Sequence, residues 1–160
     1  MSGSYFRESR NVERSTLQYL ETQIDASWSN VTVIKTFYQA YARDNNPPIV
    51  CIRLMDQNTD FLEIGATTLD NTYNIIIDIF ASSDGQRLDL ADFIINQIKD
   101  NWTYNTYAHA TGDKSTTIAT AAGKCRVTDF IENGKVDLGE TEESRDRHRH
   151  SLIFTVRRNV

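Results

Sequence analysis

Over residues 73–80 the side chains alternate: Tyr73, Ile75, Ile77 and Ile79 fall on one side of an extended chain, and Asn74, Ile76, Asp78 and Phe80 on the other. Ser82-Ser83-Asp84-Gly85 interrupts the pattern. From Gln86 to Lys99 the period becomes that of a helix, with Leu88, Ala91, Ile94/Ile95 and Ile98 as the inward stripe and Asp89 and Asp92 facing water. Asp84 is expected to cap this helix, its charge favoured by the positive end of the dipole. A strand, a turn and a packed helix are thus written in one unbroken segment.

The rest of the chain is punctuated more loosely. Residues 11–26 read as a helix, with Leu17, Leu20 and Ile24 three and four apart and Ser9 or Asn11 placed to cap it. Residues 31–38 are β-branched and aromatic, which predicts a strand. Polar residues and Pro47-Pro48 mark a loop over 42–48. Residues 49–55 are almost continuously apolar, as in a strand buried on both faces. A turn is expected over 56–60 and a weaker strand over 61–67, with Gly65 as a bulge. Further strands are expected at 125–131 and 151–157, the latter with Leu152, Phe154 and Val156 inward. Glu132-Asn133-Gly134-Lys135 has the composition of a hairpin turn, with 136–139 beginning the return. Residues 103–123 are rich in Thr, Ala, Gly and Asn, and are expected to form an extended loop ordered by neighbouring subunits. Residues 1–8 read as a flexible arm. The elements combine as a single α+β domain: a mostly antiparallel sheet with two main helices on one face.

Composition narrows the class. The chain has 160 residues, 39% hydrophobic and 24% charged, which suits one globular domain. No apolar run reaches the ~20 residues of a membrane helix. The first ten residues lack the apolar core of a secretory signal, so export is not expected. Cys51 and Cys125 lie in apolar runs and are expected to be buried and reduced. The net charge of −5 is uneven: residues 56–100 hold nine acids against Arg87 and Lys99, a local charge of −7. No basic patch dominates, which argues against tight phosphate binding.

Candidate chemistry is sparse. On one strand, Asp146, His148 and His150 would share a face, and two imidazoles with a carboxylate can hold zinc or iron. Arg145, Arg147 and Arg149 crowd the opposite face, and no fourth ligand is near; pairing of these arginines with acids such as Glu140, Glu142 and Glu143 across an interface is the preferred reading. Trp102, Tyr104 and Tyr107 could stack on bases, but without a basic groove they are expected to pack under the long loop or against a neighbour. Ser82 and Ser83 lack the flanking glycines of a nucleophile elbow. No phosphate loop, dinucleotide fingerprint or calcium loop is present. The expectation is a structural protein rather than an enzyme, with no cofactor and no bound metal.

The segment from Asn74 to Ile95, together with the helix–strands–helix–strands order, resembles the tail terminator (tail completion, or neck) proteins of long-tailed bacteriophages. The resemblance implies a virion protein that forms a homo-hexameric ring, ends the tail tube and joins it to the head-closure or connector protein. Genomic DNA would pass through its lumen without specific binding, and assembly would take place in the host cytoplasm. On that reading Asp78, Asp84, Asp89 and Asp92 are candidates for the lumen or a ring contact, and Arg145, Arg147 and Arg149 for contacts between subunits.

Overall fold

The computed structural model describes residues 7–35, 47–65, 69–110, 112–136 and 148–159. In chain order the elements are α1 (Glu8–Ser27), β1 (Thr32–Ile34), β2 (Ile49–Phe61), β3 (Leu69–Phe80), α2 (Asp84–Ile98), β4 (Trp102–Ala110), β5 (Asp113–Lys135) and β6 (Arg149–Asn159). The strands form one six-stranded sheet in the order β1-β2-β3-β6-β5-β4. Only the β1–β2 pair is parallel. This is the expected α+β architecture.

The alternation in β3 sets the layering. Tyr73, Ile75, Ile77 and Ile79 pair across to Val156, Phe154, Leu152 and His150 of β6 on the same face. Both helices pack there, through Val12, Leu20 and Ile24 of α1 and Leu90, Ala91, Ile94 and Ile98 of α2. The core takes in both helices in one cluster, so neither helix buries its stripe alone. Ile49, Val50, Cys51 and Ile52 of β2 are fully buried, as expected of a strand covered on both faces. Beyond Cys51, β1 ends, and Glu13 of α1 takes over the edge: its Oε2 accepts the Leu54 amide at 2.7 Å, and its Oε1 pairs with Lys35 Nζ at 2.7 Å.

Several expectations give way to longer-range pairing. Residues 103–123 are no loop: β4 and the first half of β5 form a hairpin that curls the sheet around α1. Its large residues, Trp102, Tyr104 and Tyr107, lie on β4 and are buried, and the small and polar residues at 116–121 of β5 are mostly exposed. The face of α1 that the hairpin meets is polar and hydrogen-bonds across to it. Asn11 Nδ2 donates to the Tyr104 hydroxyl (3.2 Å), Asn105 N to Ser15 Oγ (2.9 Å), Trp102 Nε1 to Thr16 Oγ1 (3.1 Å) and Tyr107 Oη to Gln18 Oε1 (2.6 Å). Residues 56–60 continue β2 rather than turn, because Asp56–Phe61 pair with Asn74–Leu69, and past Thr72, where the pairing with β6 ends, β2 and β3 run on as a ribbon. The chain reverses between Phe61 and Leu69 instead, and Gly65 there has φ +83°, a conformation that suits glycine in a turn rather than a bulge. Residues 132–135 stay in β5, paired with β6 from Ile153 to His150, so Asn133-Gly134 is strand and not turn. Ser83, not Asp84, caps α2: its Oγ accepts the Gln86 amide at 3.2 Å. Arg87 and Leu90 occupy the buried stripe, whereas Leu88 is exposed. Helix α1 begins at Glu8 and has no side-chain cap, so Ser9 and Asn11 lie inside it. The first strand spans Thr32–Ile34. Residues 1–6, 36–46, 66–68 and 137–147, and with them most of the expected arm and the expected return at 137–139, lie outside the described residues.

Candidate functional site

The face of the sheet opposite α1 and α2 carries its charge inside the chain. Asp78 projects from the centre of β3 and is fully buried. Arg149 of β6 donates to its Oδ1 from Nη2 at 3.0 Å and from Nε at 3.3 Å, and Arg53 of β2 brings Nη2 to 3.3 Å of Oδ2. The Arg149 guanidinium also lies 5.4 Å from the Phe80 ring. Ile49, Cys51 and Phe80 form a small second apolar cluster beside the carboxylate. A carboxylate taken from water needs such partners, and two planar guanidinium groups supply them. Further along this face the polar pairing continues, with Asp56 and Thr155 on either side of Asn74 and Arg157 on Asp70 at 2.7 Å.

A second polar group ties the start of α2 to the ends of β5 and β6. Asp84 Oδ1 accepts from Arg87 Nε at 3.0 Å, and Lys135 Nζ lies 3.8 Å from the same oxygen. Arg87 Nη1 reaches His150 Nδ1 at 2.7 Å, and His150 Nε2 reaches Asn133 Oδ1 at 2.6 Å. A guanidinium only donates, so Nδ1 accepts and the single proton of a neutral ring sits on Nε2, donated to Asn133. Burial, and then the Arg87 charge, push the His150 pKa below its ordinary value. The hydrogen bond from Arg87, helped by Lys135, lowers that of Asp84.

This occupancy bears on the metal reading. Both ring nitrogens of His150 are engaged, so the ring has no lone pair left for a metal. Among the described residues no group of three His, Cys, Asp or Glu side chains could hold one. Asp146 lies outside the described residues. The aromatic reading changes too. Trp102, Tyr104 and Tyr107 are buried against α1, and Trp102 stacks on Tyr19 with ring centres 6.0 Å apart. Their faces are covered by their own chain and offer nothing to a base. The cysteines are free and buried, and burial raises the thiol of Cys51 to about 11 and that of Cys125 to about 12.

The four candidate aspartates separate. Asp78 is enclosed and ion-paired in the sheet, whereas Asp84, Asp89 and Asp92 are exposed along α2. Arg149 is held by Asp78 within its own chain; Arg145 and Arg147 lie outside the described residues.

The most conspicuous surface feature is one that the pattern of the sequence concealed. The β2–β3 ribbon carries exposed Phe61, Leu62, Ile64 and Leu69 at its end. Asp60, Glu63 and Asp70 lie among them, and residues 54–75 include no Lys or Arg. The signal was present as apolar residues spaced between acids, but it resembles a weak strand until the pairing is known. Two clefts adjoin α1. One of about 440 Å³, beside the ribbon, is lined by Glu8, Leu62, Leu69, Arg126 and Arg157 among others. The other, of about 420 Å³, runs along the outer side of α1.

Comparison with protein-family models gives no match, and comparison with curated proteins gives none either.

Proposed function

We propose that the chain is a structural virion protein of the tail terminator kind, which forms a ring at the head–tail junction, ends the tail tube and joins it to the head connector. The observation that carries the reading is the ribbon end, where four large apolar side chains, Phe61, Leu62, Ile64 and Leu69, are exposed. Met55, Leu88, Ile118, Phe130 and Ile131 are exposed as well, but at the ribbon end four such side chains gather, as on a surface that another protein covers. The α+β order and the strand–turn–helix unit over residues 69–98 agree with the resemblance of residues 74–95 to tail terminators. The buried polar groups support a scaffold role, since Glu13 and His150 are hydrogen-bonded within the fold and Asp78 is ion-paired with Arg149 and Arg53. Asp89 and Asp92 on α2 would face a lumen through which DNA slides, because like charges keep the phosphates from adhering.

A head-closure, tube or baseplate component would make equal use of the ribbon; partner identity separates these roles. The test is to mix the purified protein with tail tubes and image them in negative stain. A ring seated on tube ends, with tube growth arrested, is expected. Tubes that elongate unchanged and carry no extra density contradict the assignment.

A further inference from the structure

We infer that the first two turns of α2 are latched to the sheet through His150, and that a proton on this imidazole opens the latch while the rest of the helix stays packed. The inference is independent of the assembly reading above. From Asp84 to Asp89, Arg87 is the only buried side chain. The apolar hold begins at Leu90, which joins the core cluster with Ala91, Ile94 and Ile98. Phe93 meets Trp28 edge-on with ring centres 6.0 Å apart, and Gln97 O accepts from Tyr19 Oη at 2.8 Å. Packing therefore fixes the second half of α2. The first half is held to the sheet by one guanidinium, and that guanidinium by one imidazole, at 2.7 Å. The other tie, from Lys135 to Asp84 at 3.8 Å, joins two exposed side chains and is weak.

The latch closes in one protonation state alone. Nδ1 accepts from Arg87, and Nε2 donates to Asn133 of β5 at 2.6 Å. A second proton would set donor against donor. Burial and then the Arg87 charge oppose that proton, and Asp92 of α2 favours it less strongly. On β5, Lys135 lies opposite His150 with its ammonium near Asp84; on β3, the opposite residue is the apolar Ile79. On β6 itself, His148 acts on Asp84, and Arg149 is turned to the other face, on Asp78. The closed latch thus resists the proton. Once open, the imidazole stands in water and takes it near the ordinary value of about 6.5. Acid therefore draws the helix start toward the open form, by up to about tenfold between pH 7.5 and 5.5. Opening carries Asp84 away from Lys135 and bares His150.

The experiment is native-state hydrogen exchange of the full chain at pH 7.5 and 5.5, corrected for intrinsic rates, with the imidazole nitrogens of His150 followed by NMR over the same range. Protection of the amides at 87–90 is expected to fall severalfold, about tenfold at most, while that at 94–98 holds. His150 should gain its proton as the protection falls. His150→Gln keeps an acceptor for Arg87 and does not titrate, so in the folded variant the difference between the two pH values should vanish. Equal loss along the whole helix makes the effect global and overturns the latch. Protection at 87–90 that ignores pH overturns it as well, and so does an acid response that survives in His150→Gln. Should that variant not fold, the unmodified chain decides alone: an imidazole that takes its proton without any change at 87–90 contradicts the inference.

Discussion

Arg87 and His150 meet nitrogen to nitrogen at 2.7 Å inside the protein, with the guanidinium as donor and the imidazole as acceptor. The contact exists only while the ring is neutral. A proton on Nδ1 would oppose a donor with a donor and set two positive charges side by side. Below the ordinary histidine pKa of about 6.5 the unfolded chain therefore binds a proton that the folded chain resists. Stability is at its full value above that pH and is lost as pH falls from there through the lowered folded value. Chemical denaturation at pH 7.5 and 5.5 is expected to give a smaller unfolding free energy at the lower pH, with part of the difference removed in His150→Asn.

Arg149→Ala should cost more than Asp78→Asn. Removing the arginine leaves a fully buried carboxylate with Arg53 alone, at a loss of about 3–5 kcal/mol. Removing the charge of Asp78 instead leaves two arginines that are partly exposed and can turn to water. Urea unfolding of the two variants measures the order.

Glu13→Ala is expected to leave the Leu54 amide without its partner at the edge of β2, destabilising the fold by about 1–3 kcal/mol. Hydrogen exchange should show that amide losing protection more than its neighbours.

Thr16→Val keeps the shape of the side chain and removes its oxygen, which accepts from Trp102 Nε1 at 3.1 Å and donates to Val12 O at 2.8 Å. A buried indole N–H without an acceptor costs about 1–3 kcal/mol. A lower thermal midpoint and a shifted tryptophan emission are expected, with no change in retention on single-stranded DNA.

Cys51 and Cys125 have no access to solvent and thiols raised to about 11 and about 12. In the native protein at pH 8 neither should react with a thiol reagent within minutes, and both should react in denaturant.

The elements legible in the sequence were those whose pattern is local. The alternation from Tyr73 to Ile79 and the period from Gln86 to Lys99 each need only neighbours a few residues away. They predict β3, α2 and their shared face, although the stripe was misphased by the buried Arg87, whose guanidinium finds partners in Asp84 and His150. What the sequence hid depends on distant pairing. The hairpin of β4 and β5 was hidden because its large buried residues, Trp102, Tyr104 and Tyr107, all lie on β4, while the β5 residues at 116–121 are, apart from Ile118, small or polar, and are mostly exposed. A register shift between Thr103 and Asn105 also breaks the aromatic alternation of Trp102, Tyr104 and Tyr107. Asn133-Gly134 looks like a turn, yet it is held in β5 by pairing with Leu152 and Ser151. The ribbon end was missed for the same reason. Phe61 and Leu69 are ordinary strand residues in isolation, and only their pairing at the far end of β2 and β3 shows that nothing in the described chain covers them.

The mass of the unmodified chain in solution bears most directly on whether this fold is built to assemble. Light scattering across a range of concentrations is expected to show a closed oligomer, six chains for the ring, that persists on dilution into the micromolar range. A particle with the mass of one chain at every concentration, in the presence and absence of tail tubes, would contradict the account.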